Sequence, residues 1–443
     1  MLSEQAAKPC GKRVYFESYG CASNRFDLEV MLALLLEAGF VVTDDAEAAD
    51  ILLINTCAVK TPTESRMLER IRKLSLLGKP LIIAGCLPKI NLPAVRKVTK
   101  GRAVMLDPYS VHRILEAVEH AETHKGERII FSEKPTVKLA QPKIRTNKIV
   151  EIVQIAEGCT GACAYCCVRF ARGKLFSYPK SLILERIKRA VSEGVREVWI
   201  TSQDSGAYGM DIGTNLAELL REIVEIDGEF FVRVGMMNPK NAMMILNPLI
   251  EAYKDRKIFK FLHIPLQSGD NEVLRLMNRP YTVEDFMEIV NSFRREIPQI
   301  TIATDIICGF PGESREAFER TLEVLEEIKP DVVNVSKFFP RPGTPAKRMR
   351  QVPYEEVKAR SRAGSKLALK LSLERNRLWV GWEGRILIDE KGTGDSWIGR
   401  NFAYKPVVVR GEGGDLLGKF LRVRVVEAHE TYLEAEVLDR YGD

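Results

Sequence analysis

No stretch of the 443-residue chain approaches the roughly 20 consecutive apolar residues that a bilayer-spanning helix requires, which argues against a helical membrane protein. Residues Met1 to Gly11 lack the apolar core and small-residue cleavage site of a secretory leader, so a cytoplasmic, reducing location is expected. An even set of cysteines is also missing. There are nine, an odd number that does not suit a full disulfide framework, and clustered cysteines in a cytosolic chain more often bind metal or do redox chemistry. Charge of one sign is scarce: the net charge is only +6, with 45% hydrophobic and 28% charged residues, an ordinary globular composition. Nothing in it demands an oligomer. At about 150 residues per domain, the length predicts roughly three domains.

Those domains differ in pattern. From 12 to 125, strand-like runs alternate with amphipathic ones (Arg13–Ser18, Leu28–Ala38, Ile51–Asn55, Thr63–Leu77, Leu81–Ala84, Val95–Val98), which predicts an open parallel sheet in an α/β domain. His120 to Lys148 is polar and aperiodic and reads as a linker with a short strand at Arg128–Phe131. From 147 to 370, six strand-like runs (Ile149–Ala156, Glu197–Thr201, Phe230–Met236, Phe259–Pro265, Thr301–Cys308, Asp331–Lys337) are separated by helix-length segments, as in a partial or complete parallel barrel. From 376 to 440, short β-rich runs between Gly-rich turns predict a small all-β barrel.

Two sets of cysteines stand out in this framework. Each of the three clearest N-terminal strands runs into one: Tyr19-Gly20-Cys21, Asn55-Thr56-Cys57 and Ala84-Gly85-Cys86. Ligands of open parallel sheets bind beyond the carboxyl ends of the strands, so the three thiols can meet there, although a buried cysteine is also a plain small hydrophobe. The second set is compact. Glu157-Gly158-Cys159-Thr160-Gly161-Ala162-Cys163-Ala164-Tyr165-Cys166 is a C-x3-C-x2-C loop following the first barrel strand, where parallel barrels carry their active sites. Three thiolates can hold three irons of a four-iron cluster and leave the fourth open. Structural zinc is the alternative, but it wants four ligands, and only Cys167 is near. Cys167 itself points away from its neighbour and reads as a spectator.

C-x3-C-x2-C with an aromatic, here Tyr165, before the last cysteine resembles the signature of the radical S-adenosylmethionine (SAM) enzymes. The resemblance implies that the open iron on Cys159, Cys163 and Cys166 chelates SAM, whose one-electron reduction gives methionine and a 5′-deoxyadenosyl radical. Similarity extends along the chain. The segments around Cys21 (with Asn24), Cys57 and Cys86, then Ala171-Arg172-Gly173, Thr201-Ser202-Gln203-Asp204, His263-Ile264-Pro265-Leu266-Gln267-Ser268-Gly269 and Asp305-Ile306-Ile307-Cys308-Gly309-Phe310-Pro311-Gly312-Glu313 resemble the methylthiotransferases. This implies a second [4Fe-4S] cluster on Cys21, Cys57 and Cys86, and a C-terminal TRAM domain that binds RNA. Many radical SAM enzymes have two glycines and a glutamate where this chain has Ser202-Gln203-Asp204, so the SAM amino group falls to Gln203 or Asp204. Tyr165, Arg233, Gln267 and Gly309 complete the expected cofactor contacts. Arg233 and Gln267 are equally readable as satisfied structural polar residues, Gly309-Phe310-Pro311-Gly312-Glu313 as a tight turn, and His263 as structural.

Ser177-Tyr178-Pro179, Asp204-Ser205-Gly206-Ala207-Tyr208-Gly209, Asp211-Ile212-Gly213-Thr214-Asn215-Leu216, Thr301-Ile302-Ala303-Thr304-Asp305 and Phe339-Pro340-Arg341-Pro342-Gly343-Thr344-Pro345 most resemble the archaeal and eukaryotic branch. That branch implies conversion of N6-threonylcarbamoyladenosine at tRNA position 37 to its 2-methylthio derivative, with an electron-donor protein as a further partner. The sister activities, on isopentenyladenosine or on a ribosomal-protein aspartate, are the alternatives; a non-catalytic iron–sulfur RNA-binding protein is another. Lys337 to Arg377 holds twelve Lys or Arg against three acids, a stripe that attracts phosphate backbones or simply solvates a helix. The anticodon loop would meet Phe338, Phe339, Arg341, Arg348 and Arg350, or Trp379, Trp382 and Trp397, for which core packing is the competing role.

Overall fold

A computed structural model describes residues 11–440 except 60, 125 and 412; Cys10 and the rest of the N-terminal segment before Gly11, where a leader is not expected, lie outside the described residues. Ile51–Thr56 and Leu81–Gly85 are buried at every position, as strands covered on both faces by helices must be. They form the middle of a six-stranded, all-parallel sheet ordered Val41–Thr43, Arg13–Ser18, Ile51–Thr56, Leu81–Gly85, Val104–Leu106, Arg128–Ile130. The strand order reverses direction between Arg13–Ser18 and Ile51–Thr56. Such a switch point opens a crevice at the carboxyl ends, and Cys21 and Cys57 flank it.

Six further parallel strands follow in sequence order. Val150–Gln154, Glu197–Thr201 and Phe231–Val234 make one sheet; Phe261–His263, Thr301–Cys308 and Val332–Lys337 make the other. A parallel bridge from Val232 to Ile258 and the Phe259 N–H on the Val232 carbonyl (3.0 Å) join them into an incomplete barrel. Ile306 and Val335 pack outward near Gly364 of the helix Tyr354–Arg377, which leaves Asp305 and Asn334 facing the lumen.

The barrel is open between its first and last strands. Helix Ala22–Glu37 packs against the first, Val150–Gln154. It is buried on several sides, Asp27 and Glu29 included, because it lies between its own sheet and the barrel. Val14, Leu28 and Met31 thereby share one continuous apolar core with Ile152, Val153 and Ile200. The C-terminal strands Glu383–Lys391, Ser396–Arg400, Pro406–Arg410, Phe420–Ala428 and Leu433–Arg440 close a five-stranded barrel. It docks on the amino ends of the central strands, through Phe231 against Phe420 (6.2 Å), Phe259 against Tyr404 (4.8 Å) and the Lys405 ammonium on Asp331 (2.8 Å). No helix among the described residues is long and apolar enough to cross a membrane.

The segment expected as a polar linker is instead a strap. After helix Ile114–Thr123 and strand Arg128–Ile130, the buried Lys138 ammonium bridges Asp27 of the first domain (2.5 Å) and Glu157 of the central one (2.8 Å). Lys143 does the same between Glu29 and Glu151 (2.8 and 2.9 Å). The segment reads as a linker in sequence because the acids its lysines meet lie in other domains or far along the chain.

Candidate functional site

Three of the cysteines in question, Cys21, Cys86 and Cys159, follow a glycine in a left-handed turn that admits no side chain. At Gly85 (φ 96°) a Cβ would lie 2.4 Å from the Thr56 carbonyl oxygen, and at Gly158 (φ 75°) 1.9 Å from that of Lys174. These turns bend the chain off the strand ends and deliver the following thiol to the carboxyl edge. In the first domain Cys57 and Cys86 are buried and Cys21 is exposed. The thiols of Cys21 and Cys86 both face the Asn24 side-chain oxygen, at 3.6 and 3.9 Å, while a Cβ on Gly20 would touch Cys57 Cβ at 2.8 Å. The structure thus brings all three strand-end cysteines together around Asn24. Burial pushes the Cys86 thiol up to about 12 and also raises Cys57.

The loop cysteines gather at the carboxyl mouth of the barrel. The Gly161 N–H donates to Cys159 Sγ (3.2 Å) and the Arg279 guanidinium to Cys163 Sγ (3.3 Å). The neighbours of Arg279 hold the loop: Asn278 donates to the Ala162 carbonyl (2.8 Å) and the Ala164 N–H to the Met277 carbonyl (2.9 Å). Burial pushes Cys159 up to about 11 and Cys166 up to about 12. Thiols this reluctant to ionise alone are suited to a cationic centre that displaces their protons. Arg279 Nη2 is buried with no hydrogen-bond partner beside Cys163. Three convergent soft donors with an adjacent cation fit an iron–sulfur cluster in thiolate ligation.

A seam joins the two sites. Arg172, 1% exposed, donates to the Asn24 oxygen (3.0 Å) and pairs with Asp27 and Glu157, each at 2.7 Å; Glu157 precedes the Gly158-Cys159 turn. Cys167, next to Cys166, is buried and donates its S–H to the carbonyl of Ala58 (3.2 Å), next to Cys57.

Among the remaining predicted contacts, Tyr165 packs its ring on Phe310 (6.3 Å). Gln203 accepts the Gly158 N–H (2.7 Å) and donates to Ser23 (3.3 Å), which ties the loop to the first domain. Asp204 is buried and accepts from the Asn238 N–H (2.9 Å) and Asn241 (2.7 Å), whose amide also lies 3.4 Å from Thr160 in the cysteine loop. Gln267 adopts φ 68°, and its buried Oε1 has no partner, an acceptor at the upper rim suited to a hydroxyl or amino donor. Gly309 is backed by Val357, where a Cβ would lie 2.4 Å away, and its N–H is held by Glu313 (2.6 Å). Arg233 lies lower, beside Trp199 in register. The Asp305 carboxylate accepts from His263 Nε2 (2.8 Å) and from Asn334 (2.9 Å).

Several expected RNA contacts are committed elsewhere. Arg341 is buried against Glu64 and Thr61 of the first domain. Phe338 packs on Phe310 (5.4 Å), and Trp379 and Trp397 are core residues of the C-terminal barrel, with Trp382 packed against it. Arg348 and Arg350 are exposed. Sequence reasoning missed Arg279, Asn241 and the role of Asn24. The available signal was Asn278-Arg279-Pro280: Asn278 has φ 56°, the left-handed position after a helix that Asn favours.

Family models match in the order of the three folds. Residues 13–106 match the uncharacterized protein family UPF0004, 153–325 the radical SAM superfamily and 377–438 the TRAM domain. Among solved structures, the radical S-adenosylmethionine methyltransferase TsrM from Kitasatospora setae, with tryptophan and a SAM analog bound, superposes with a TM-score of 0.56 at 14% identity, covering 86% of this chain and 79% of that one; this is a likeness of fold. The probable threonylcarbamoyladenosine tRNA methylthiotransferase of Pyrococcus horikoshii is 45% identical, covering 96% of this chain and 99% of that protein. The human threonylcarbamoyladenosine tRNA methylthiotransferase is 35% identical, covering 96% of this chain and 74% of its own length. With such relatives aligned along nearly its full length, the chain belongs to the threonylcarbamoyladenosine tRNA methylthiotransferase family of radical SAM enzymes.

Proposed function

We propose that this chain is a cytoplasmic enzyme that replaces C2–H of N6-threonylcarbamoyladenosine, at position 37 of tRNA, with a C2–S–CH3 group. The observation that carries the reading is the meeting of two cysteine trios along one seam, bridged by Arg172 between Asn24 and Glu157. A reaction that both activates a C–H bond and inserts sulfur needs two centres near one substrate atom. Cys159, Cys163 and Cys166 would hold one [4Fe-4S] cluster, and Cys21, Cys57 and Cys86 the other. With SAM bound, the first supplies the one-electron chemistry that removes hydrogen from C2 and the second the sulfur to be inserted, a second SAM giving the methyl group.

The chain's own residues prepare this site. Arg279 places positive charge on Cys163 Sγ, which offsets the charge of buried thiolates. Asn241 links Asp204 to Thr160 and so fixes the start of the cysteine loop. Tyr165, Gln203, Asp204, Gln267 and Gly309 line or support the space where SAM would lie. The exposed Arg348 and Arg350, with Arg362, Lys366 and Lys370 on one helix, form the surface offered to the anticodon stem. An external protein must deliver the electrons, and a single chain supplies all six thiolates.

The test is anaerobic reconstitution with iron and sulfide, followed by SAM, a reductant and tRNA carrying N6-threonylcarbamoyladenosine. Nucleosides are then analysed by mass spectrometry, with isopentenyladenosine tRNA in parallel. A methylthio mass gained by the threonylcarbamoyl nucleoside alone, and lost in Cys163→Ala and Cys57→Ala, is the expected result. 5′-Deoxyadenosine without a modified nucleoside would keep the radical SAM assignment and overturn the substrate.

A further inference from the structure

Below the cysteine mouth, the barrel lumen is polar. His263 and Asp305, whose side chains retain 18% and 26% exposure, line it with the exposed Asn334. One layer lower, Arg233 lies in register with Trp199. Its guanidinium carbon sits 5.4 Å from the Trp199 ring, 5.2 Å from that of Phe261 and 5.4 Å from that of Tyr404. Tyr404 comes from the C-terminal barrel and enters from beneath.

Three features together mark Arg233. Arg172, Lys138, Lys143 and Lys405 each have a carboxylate partner, whereas the Arg233 side chain has no ion pair or hydrogen bond among the described residues. Its Nε is buried without a partner. Finally, its cage is held by a strained residue: Tyr404 adopts φ 60°, disfavoured for a bulky side chain. The Asn401 side chain, which accepts the N–H groups of Ala403 and Lys405 at 3.0 Å each, holds the turn. Strain of this kind persists where surrounding contacts over-determine it, and it collects at ligand sites. A guanidinium half-desolvated by three aromatic faces, with donors unspent, is built to take an anion. Its planar fork matches a carboxylate.

The substrate in the proposed reaction carries one. The N6-threonylcarbamoyl group ends in the free carboxylate of its threonyl moiety, and the isopentenyl group of the sister substrate has no charge at all. Resting on the tRNA methylthiotransferase reading above, we propose that Arg233 binds the threonyl carboxylate of the modified adenosine, and that Tyr404 makes the C-terminal barrel the floor of the substrate pocket as well as an RNA-binding module. An apolar N6 substituent placed there would leave the guanidinium desolvated and unpaired, which is a penalty against the sister substrate rather than a mere loss of contact.

The reconstituted full-length enzyme is given tRNA carrying N6-threonylcarbamoyladenosine and the same tRNA with the threonyl carboxylate converted to its methyl ester. Both product formation and equilibrium tRNA binding are measured. The wild type is expected to favour the acid over the ester by roughly 10- to 150-fold, the range of a lost charged hydrogen bond. In Arg233→Met the preference falls to about one, the acid having lost what the ester never had, and Arg233→Lys restores part of it. SAM affinity measured without tRNA is unaltered in both variants. An acid preference that survives in Arg233→Met overturns the proposal, as does a wild type indifferent to esterification. Loss of SAM affinity in the variants overturns it too, by moving Arg233 to the cofactor. If Arg233→Met does not fold, the wild-type ratio and Arg233→Lys decide. No product from the wild type on the acid tRNA overturns the substrate reading itself, and this assignment with it.

Discussion

Cys159, Cys163 and Cys166 lie within eight consecutive residues, whereas Cys21, Cys57 and Cys86 come from the ends of three strands and meet only when the sheet is assembled. The loop trio is held by contacts from the central barrel, chiefly Met277 to Arg279, with Gln203, Asn241 and Ala346. The strand-end trio is held by the domain itself, and Asn24 and Arg172 lock it to the barrel. The first site is therefore a local device tuned by one or two side chains. The second shares its stability with the interface. Perturbing Arg172 should damage fold and both sites together, while perturbing Arg279 should separate them.

Arg172→Met is the most severe test of that contrast. It leaves Asp27 and Glu157 buried with Lys138 as their remaining cation, and removing one partner of a buried charge network costs about 3–5 kcal/mol. We expect a large fall in melting temperature, with iron lost from both sites. A variant that melts like the wild type would show that the two domains are held by the apolar core alone. Arg279→Gln, by contrast, removes the contacts to Cys163 and Tyr281, both within the central barrel. Its melting temperature should be close to that of wild type, while iron after reconstitution falls from roughly eight toward roughly four atoms per chain. Equal loss from both sites would break the distinction.

The ease of reading each site in the sequence follows the same division. C-x3-C-x2-C was legible because spacing alone places its thiols. The strand-end trio was legible only in outline, because convergence depends on sheet order, and the switch between Arg13–Ser18 and Ile51–Thr56 is not written in either strand. Hidden altogether were Lys138 and Arg341, whose partners Asp27 and Glu64 lie 111 and 277 residues away. A polar aperiodic segment looks the same whether its lysines meet water or buried acids. Val41–Thr43 and Val104–Leu106 escaped because three residues carry no period, and Ser396–Arg400 because its glycine and serine dilute the apolar signal.

The interface beneath the barrel offers a comparison with the upper one, where acids and bases are matched. Here Glu197 is buried near Asp389 of the C-terminal barrel, and burial, then that second carboxylate, pushes Glu197 up to about 7. The folded chain holds a proton that the unfolded chain releases between 4.5 and about 7. This stabilisation, at most about 3 kcal/mol, is complete below the lower value and lost as pH rises through the upper one. Melting temperature should therefore fall from about pH 4.5 to about pH 7, and Glu197→Gln should flatten that slope. An unchanged slope would place the titration elsewhere.

The smallest expected effect tests the seam itself. Cys167 adjoins Cys166 and lies against Ala58 beside Cys57, so among the described residues it is the one further thiol close to both trios. If its part is to satisfy the Ala58 carbonyl, Cys167→Ala loses one weak hydrogen bond and a small buried side chain, a cost of about 1 kcal/mol. Iron content and 5′-deoxyadenosine formation should both hold, in contrast to Cys166→Ala one residue earlier. A drop in iron on Cys167→Ala would mean that the thiol exchanges with one of its neighbours as a ligand, and the division between a loop site and a strand-end site would give way to a single shared cysteine seam.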